Sequence, residues 1–72
     1  MPKFRITTTQ TALMNGVRIE PGMVVEVVQQ SFNNPLFENG GKAVNDAFMR
    51  IYGIDLKRAG LLFPIYLHIE QL

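Results

Sequence analysis

The chain has 72 residues, a net charge of +1 and no cysteine. A chain of this length builds one small hydrophobic core, so we expect a single domain spanning residues 1–72. The absence of cysteine excludes disulfides, thiolate nucleophiles and cysteine-ligated metals, and one histidine excludes a histidine-rich metal site. Seven Lys and Arg against six Asp and Glu match neither a basic nucleic-acid-binding arm nor an acidic tail.

The N-terminal segment has the alternation of a half-buried strand. Across residues 3–9, Phe4, Ile6 and Thr8 point to one face, and the intervening polar residues point to the other. We expect this strand to lie at a sheet edge. Its Thr-rich end, residues 7–9, would then offer unpaired backbone groups to a second chain.

Two tight turns organise the next segment. The short run 11–14 reaches Asn15-Gly16, a dipeptide that favours a type I′ hairpin turn, and continues into a return strand over 17–20. Pro21-Gly22 predicts a type II turn before the strand 23–30. We expect that strand to be the longest. Because it is apolar on both faces, it should be central or covered by a helix.

A loop and one helix occupy the middle of the chain. The loop 31–41 is rich in Asn, Gly and Pro, and it also carries large apolar side chains. Helical spacing then predicts one helix that ends at Gly53, with Met49 off its apolar stripe. The stripe consists of Val44, Ala47, Phe48, Ile51 and Tyr52.

The C-terminal segment predicts a short helical turn and a final strand. Asp55 is a suitable cap for a turn that stops at Gly60, and Pro64 marks the start of a strand. Alternation across 65–70 predicts that Ile65, Leu67 and Ile69 face the core, while Tyr66, His68 and Glu70 form an outward row.

Together these elements predict the α+β class, in the order β-β-β-α-β. A small curled antiparallel sheet would carry one α-helix, packed through Phe48 and Ile51. Short strands joined by tight turns equally suit a partly open SH3-like barrel. The sequence leaves barrel and open sheet as alternatives.

Two segments carry a resemblance to known proteins. The runs Asn15–Met23 (NGVRIEPGM) and Ala47–Asp55 (AFMRIYGID) resemble those of short uncharacterised proteins from Bacteroides-type bacteria, known as a domain of unknown function. The resemblance covers most of the chain, and its motifs are turns and a helix stripe. It implies a bacterial cytoplasmic protein and supplies no catalytic residue.

Motifs of catalysis and metal binding are weak. Gly40-Gly41-Lys42 precedes a helix, yet it lacks the upstream glycine and the following Ser or Thr of a phosphate-binding loop. His68 has no nucleophile near it in sequence, and the carboxylates are scattered without calcium-loop spacing. We therefore predict no enzymatic activity, no catalytic residue, no metal site and no cofactor.

The leading functional hypothesis is a small protein-interaction module, whose partner is another protein or a second copy in a homodimer. Five apolar residues have no evident place in so small a core, and large exposed apolar patches mark interaction surfaces. They are Phe32, Phe37, Met49, Leu62 and Phe63. All but Met49 lie in the loops before and after the helix, and the alternative is that these two loops fill the ends of a small barrel.

The second hypothesis is weak nucleic-acid binding. A strand face with Lys3 and Arg5, joined by Arg18 and the aromatic Tyr66, has the residue types that contact phosphates and stack on bases. The net charge of +1 disfavours it. We expect a cytoplasmic protein without membrane attachment, because no run approaches the length of a membrane helix and no signal peptide opens the sequence.

Overall fold

The computed structural model describes residues 1–72, with five strands, two α-helices and one 3₁₀ turn. The strands are β1 (Lys3–Thr8), β2 (Ala12–Met14), β3 (Val17–Ile19), β4 (Val24–Val28) and β5 (Leu67–Gln71). The helices are α1 (Lys42–Tyr52) and α2 (Leu56–Ala59), and the 3₁₀ turn is Glu38–Gly41. None of the helices has the length and hydropathy needed to span a bilayer.

The strands form two antiparallel sheets. One has three strands in the order β4-β1-β5, and the other is the β2-β3 hairpin. The α+β class with one main helix is confirmed, and the sheet is open rather than closed into a barrel. β1 is the central strand. The expectation that residues 7–9 form a docking edge was therefore wrong, because β1 is paired on both sides.

The predicted alternation of β1 is confirmed. Phe4, Ile6 and Thr8 are buried, and the hydroxyl of Thr8 accepts a hydrogen bond from the backbone N–H of Met23 at 2.9 Å. This bond ties the start of β4 to the end of β1. It also satisfies the one polar side chain that the apolar face of the strand buries.

Strand β4 differs from the prediction in place and in length. It has five residues, one fewer than β1, and it lies at an edge of the three-stranded sheet. Val25 and Val27 enter the core, while Val24 and Val28 are exposed. Apolar residues on both faces were thus a poor guide to a central position, because the second face of β4 is left uncovered.

The turn signals were reliable guides to local structure. Asn15 and Gly16 both have positive φ, 50° and 78°, as a type I′ hairpin turn requires. Gly53 ends α1 in the left-handed region, and its backbone N–H donates to the carbonyl of Met49 at 3.0 Å.

Helix α1 covers the sheet with only part of its apolar stripe. Val44, Ala47 and Phe48 are buried, whereas Ile51 and Tyr52 in the last turn are exposed. The predicted packing through Ile51 was therefore wrong. Helical periodicity gives the direction of a side chain around the axis, and it does not reveal whether another element lies opposite.

The segment before β5 is a turn rather than a strand. β5 begins at Leu67, Ile65 is exposed, and Tyr66 packs partly against the core. The prediction that Ile65 faces the core was wrong, and Tyr66 does not extend the outward row of His68 and Glu70. Pro64 marks this turn, because the backbone N–H of Tyr66 bonds the carbonyl of Phe63 at 3.0 Å.

Candidate protein-interaction site

The loop after β4 contains a turn that buries one side of the chain and exposes the other. Asn34 begins this turn: its carbonyl accepts from the N–H of Phe37 at 3.0 Å, and its side chain accepts from the N–H of Leu36 at 2.9 Å. Pro35 follows Asn34 at the position where its fixed φ favours a turn. Leu36 and Pro35 are buried, and Phe37 turns outward with 69% of its surface exposed.

Polar contacts hold the rest of this loop. The side-chain amide of Asn33 and the hydroxyl of Ser31 both donate to the carboxylate of Glu38, at 3.2 and 3.3 Å. Gln29, the residue after β4, donates its side-chain amide to the backbone carbonyls of Ser31 and Asn33. Phe32 takes no part in this hydrogen-bond network, and 73% of its surface is exposed.

The loop between α2 and β5 has a similar arrangement. Leu61 is fully buried, Leu62 is half-buried against the core, and Phe63 opens the turn that contains Pro64. The exposed fractions are 55% for Phe63 and 62% for Ile65. Each loop therefore has a leucine that packs against the core directly before an exposed phenylalanine.

The two loops meet at Gly41, the buried residue that precedes α1. A Cβ atom at this position would lie 3.1 Å from the carbonyl oxygen of Leu36 and 3.2 Å from Cδ1 of Leu62. Gly41 has a φ of +79°, which side chains rarely adopt. The glycine thus permits a close approach of two loops, and Phe37 and Phe63 each follow one of the residues that contact it.

We call the side chains of Phe32, Phe37, Leu62, Phe63 and Ile65 the loop surface. Four of the five predicted interface residues lie on these two loops. The fifth, Met49, is exposed on α1. It lies eight residues from Gly41 in the chain, about 12 Å along the helix axis, and is not joined to the loops by any hydrogen bond. Ile65 was missed by the sequence reasoning, although Pro64 signalled the turn that exposes it.

The predicted nucleic-acid face is internally neutralised. Lys3 and Arg5 both contact the carboxylate of Glu26, at 2.9 and 3.4 Å, and Arg5 also contacts Glu70 at 3.4 Å. Glu26 and Glu70 lie directly opposite Arg5 in the antiparallel register, which explains this row. We call these four residues the charged sheet face.

The ion pairs shift the pKa of Glu26 below its ordinary value. Lys3 is the main cause through its hydrogen bond and charge, and Arg5 adds to the effect. Arg18 lies on the separate β2-β3 hairpin and pairs with Glu20 at 2.9 Å, and Tyr66 packs against the core. No hydrogen bond or sheet pairing joins Arg18 or Tyr66 to Lys3 and Arg5.

A third cluster fixes α2 against α1. Asp55 accepts hydrogen bonds from the backbone N–H of Arg58 at 3.0 Å and from the side chain of Asn45 at 3.1 Å. These bonds lower the pKa of Asp55, the Arg58 bond most. Asn45 in turn accepts from the backbone N–H of Lys57 at 3.0 Å. The predicted cap at Asp55 is confirmed, and it sets the start of the segment that leads to Leu61 and Phe63.

One groove of about 370 Å³ lies between β4 and α1. Its charged side chains are Glu26, Asp46 and Arg50. Asp46 is held by Lys42 at 2.7 Å, and this pairing raises the pKa of Lys42. No group of three or more His, Cys, Asp or Glu side chains is arranged to hold a metal ion.

Comparison with known proteins identifies the family. A model of the family of unknown function DUF6140 matches residues 1–69, and the chain therefore belongs to that family. No curated protein and no solved structure matches the chain.

Proposed function

We propose that this DUF6140 chain is a small non-enzymatic protein-interaction module that binds its partner through the loop surface. The observation that carries the proposal is the exposure of three phenylalanine rings, 55% to 73%, on loops that converge at Gly41. Large exposed apolar side chains are costly in water, and aromatic residues are enriched at interface cores. Burying such rings against a partner would contribute about 1.5–3 kcal/mol for each ring fully covered.

Rigidity of the loops supports the same proposal. Phe37 and Phe63 both belong to hydrogen-bonded proline turns, at Asn34–Phe37 and Phe63–Tyr66. A side chain presented from an ordered turn loses less conformational entropy on binding than one on a flexible loop. The partner surface that fits is apolar or aromatic and carries little charge.

The positions of the side chains that could act in catalysis support a non-enzymatic role. Ser31 is engaged with Glu38 in the loop after β4, while His68 is exposed on β5, at the opposite edge of the sheet. A nucleophile and its base must lie within hydrogen-bond reach of each other. The proposed assignment to a bacterial cytoplasmic protein depends on the Bacteroides-type resemblance of the turn and helix motifs.

Nucleic-acid binding is the weaker candidate. Lys3 and Arg5 do share one sheet face, but carboxylates on both neighbouring strands already occupy them. A phosphate would have to displace Glu26 and Glu70. Protein binding through the loop surface requires no existing ion pair to break.

The test compares three single variants. Phe37→Asp and Phe63→Asp each remove one exposed ring, and Gln30→Asp introduces the same charge at an exposed polar position as the control. Self-association is measured by sedimentation velocity, and partners are identified by mass spectrometry after purification of the tagged chain from its host. A partner found in this way is then produced pure, and its affinity for each variant is measured.

We expect both phenylalanine variants to lose binding by about tenfold or more, while the Gln30→Asp chain binds as the parent does and all three remain folded by circular dichroism. If the Phe37→Asp and Phe63→Asp chains unfold, the rings belong to the core and the proposal fails. Equal affinity of all three variants for the partner would also contradict it.

A further inference from the structure

The outer edge of β5 carries unpaired backbone groups. In an antiparallel ladder, alternate residues of a strand direct their N–H and C=O groups to one neighbour, and the residues between direct theirs to the other side. The N–H of Leu72 bonds the carbonyl of Lys3 at 2.8 Å, so the even-numbered positions, including His68 and Glu70, face β1. The outward groups are those of Leu67, Ile69 and Gln71.

At the other edge of the sheet, on β4, a side chain and a helix partly cover the outward backbone groups. On β4, the hydroxyl of Tyr52 accepts from the backbone N–H of Val24 at 2.9 Å and lies 3.3 Å from its carbonyl oxygen. Helix α1 also packs beside β4. The outward groups of β5 have no hydrogen-bond partner within the chain, and β1 is the one element that packs extensively against this strand. Residues 67–71 contain no proline and no lysine, the residues that commonly protect an edge.

We propose that β5 is a homodimerisation strand that pairs antiparallel with β5 of a second copy about a two-fold axis at Ile69. In this register Leu67 lies opposite Gln71 of the second copy, and Ile69 lies opposite its own counterpart. The outward groups of all three residues then find partners, which gives about six backbone hydrogen bonds. The two sheets become one continuous sheet with α1 of both copies on the same face.

Complementary polar side chains favour a second copy as the occupant, and they favour this register. On the outward face, His68 lies opposite Glu70 of the second copy, twice by symmetry, at a position where side chains approach closely. Arg5 contacts Oε1 of Glu70, and Oε2 has no hydrogen-bond partner, so it remains available to the second copy's imidazole. The His68 side chain is exposed, and its imidazole makes no hydrogen bond within the chain.

Neighbouring registers are less favourable. A two-fold centred on Glu70 sets two carboxylates opposite each other, and one centred on His68 does the same with two imidazoles. Only the register centred on Ile69 pairs the whole of β5 with itself. The proposal uses a different surface from the loop surface, and it stands or fails separately from the protein-interaction function proposed above.

Amide hydrogen exchange at several protein concentrations tests the pairing directly. The amides of His68 and Glu70 are bonded to β1, and we expect protection at every concentration. Those of Leu67, Ile69 and Gln71 become protected only as the dimer forms, so protection of alternate residues rises with concentration. The outward amides of Glu26 and Val28 on β4 serve as internal controls and stay unchanged.

Two variants at one exposed position complete the test. His68→Glu places like charges opposite each other and should weaken dimerisation by about tenfold or more, whereas His68→Lys places a hydrogen-bond donor opposite Glu70 and should preserve it. Fast exchange of the three outward amides at every concentration would overturn the proposal. A dimer seen by sedimentation that leaves these amides unprotected would overturn it as well, and its loss in Phe37→Asp would assign that dimer to the loop surface.

Discussion

The loop surface and the charged sheet face make opposite use of exposed side chains. On the charged sheet face, Lys3 and Arg5 form ion pairs with carboxylates on adjacent strands, so each charge already has a partner of opposite sign. On the loop surface, Phe37 and Phe63 are held outward by ordered turns and have nothing to cover them. The contrast supports the proposal that a partner binds at the loop surface, where the exposed apolar side chains have no partner within the chain.

The first prediction separates buried from exposed residues within one loop. Leu61→Ala should lower the free energy of unfolding by about 2–4 kcal/mol, because Leu61 is fully buried and the change leaves a cavity. Phe63→Ala should lower it by about 0.5 kcal/mol or less, since more than half of the ring is exposed. Urea denaturation measures both, and equal losses would remove the distinction between core and loop surface.

The second prediction concerns the point where the loops meet. Gly41→Ala should destabilise the fold by about 2 kcal/mol, from the positive φ and from contact with Leu36 and Leu62. Gly53→Ala is the matched control, because Gly53 also has positive φ but faces open space; we expect a loss of about 1 kcal/mol. If the two variants lose the same stability in urea, the loops do not pack closely at Gly41.

The third prediction concerns acid stability. The pKa values of Glu26 and Asp55 are lowered in the folded chain, so the unfolded chain binds more protons as the pH falls. Their stabilisation is complete above the ordinary carboxyl range of about 4 and is lost as the pH falls through the lowered values. Urea midpoints of the parent and Glu26→Gln should therefore converge towards low pH. A constant difference between them would contradict the pairing of Glu26 with Lys3 and Arg5.

The fourth prediction has the smallest expected signal. A fluorescence-anisotropy titration with mixed-sequence single- and double-stranded oligonucleotides should show no binding at low salt, since the cations of the charged sheet face are already paired. Salt-sensitive micromolar binding would show that the charged sheet face binds phosphates in spite of its ion pairs, and it would contradict the contrast between the two surfaces. The variants Lys3→Gln and Arg5→Gln would then identify the phosphate contacts.

Local signals in the sequence predicted local structure well. Asn15-Gly16, Gly53 and the cap at Asp55 each act on backbone groups a few residues away, and all three occur as expected. The exposure of Phe32 and Phe37 could be anticipated, because a loop beside so small a core has little apolar surface to bury them.

Long-range arrangement could not be obtained in the same way. The central place of β1 depends on pairing with β5, which is far away in the chain: Arg5 lies opposite Glu70, 65 residues later. Alternation reports which way a side chain points and not which strand lies beside it. For that reason the edge was assigned to residues 7–9 instead of β5, and Ile51 and Ile65 were placed in the core.

The central claim is best tested by site-specific photocrosslinking in the host cell. A benzophenone amino acid replaces Phe37 or Phe63 in turn, and Gln10 or Gln30, both exposed and polar, in the controls. We predict that positions 37 and 63 yield the same discrete crosslinked protein, identified by mass spectrometry, and that the control positions do not. Equal yields from all four positions, or no discrete product from either phenylalanine position, would contradict binding through the loop surface.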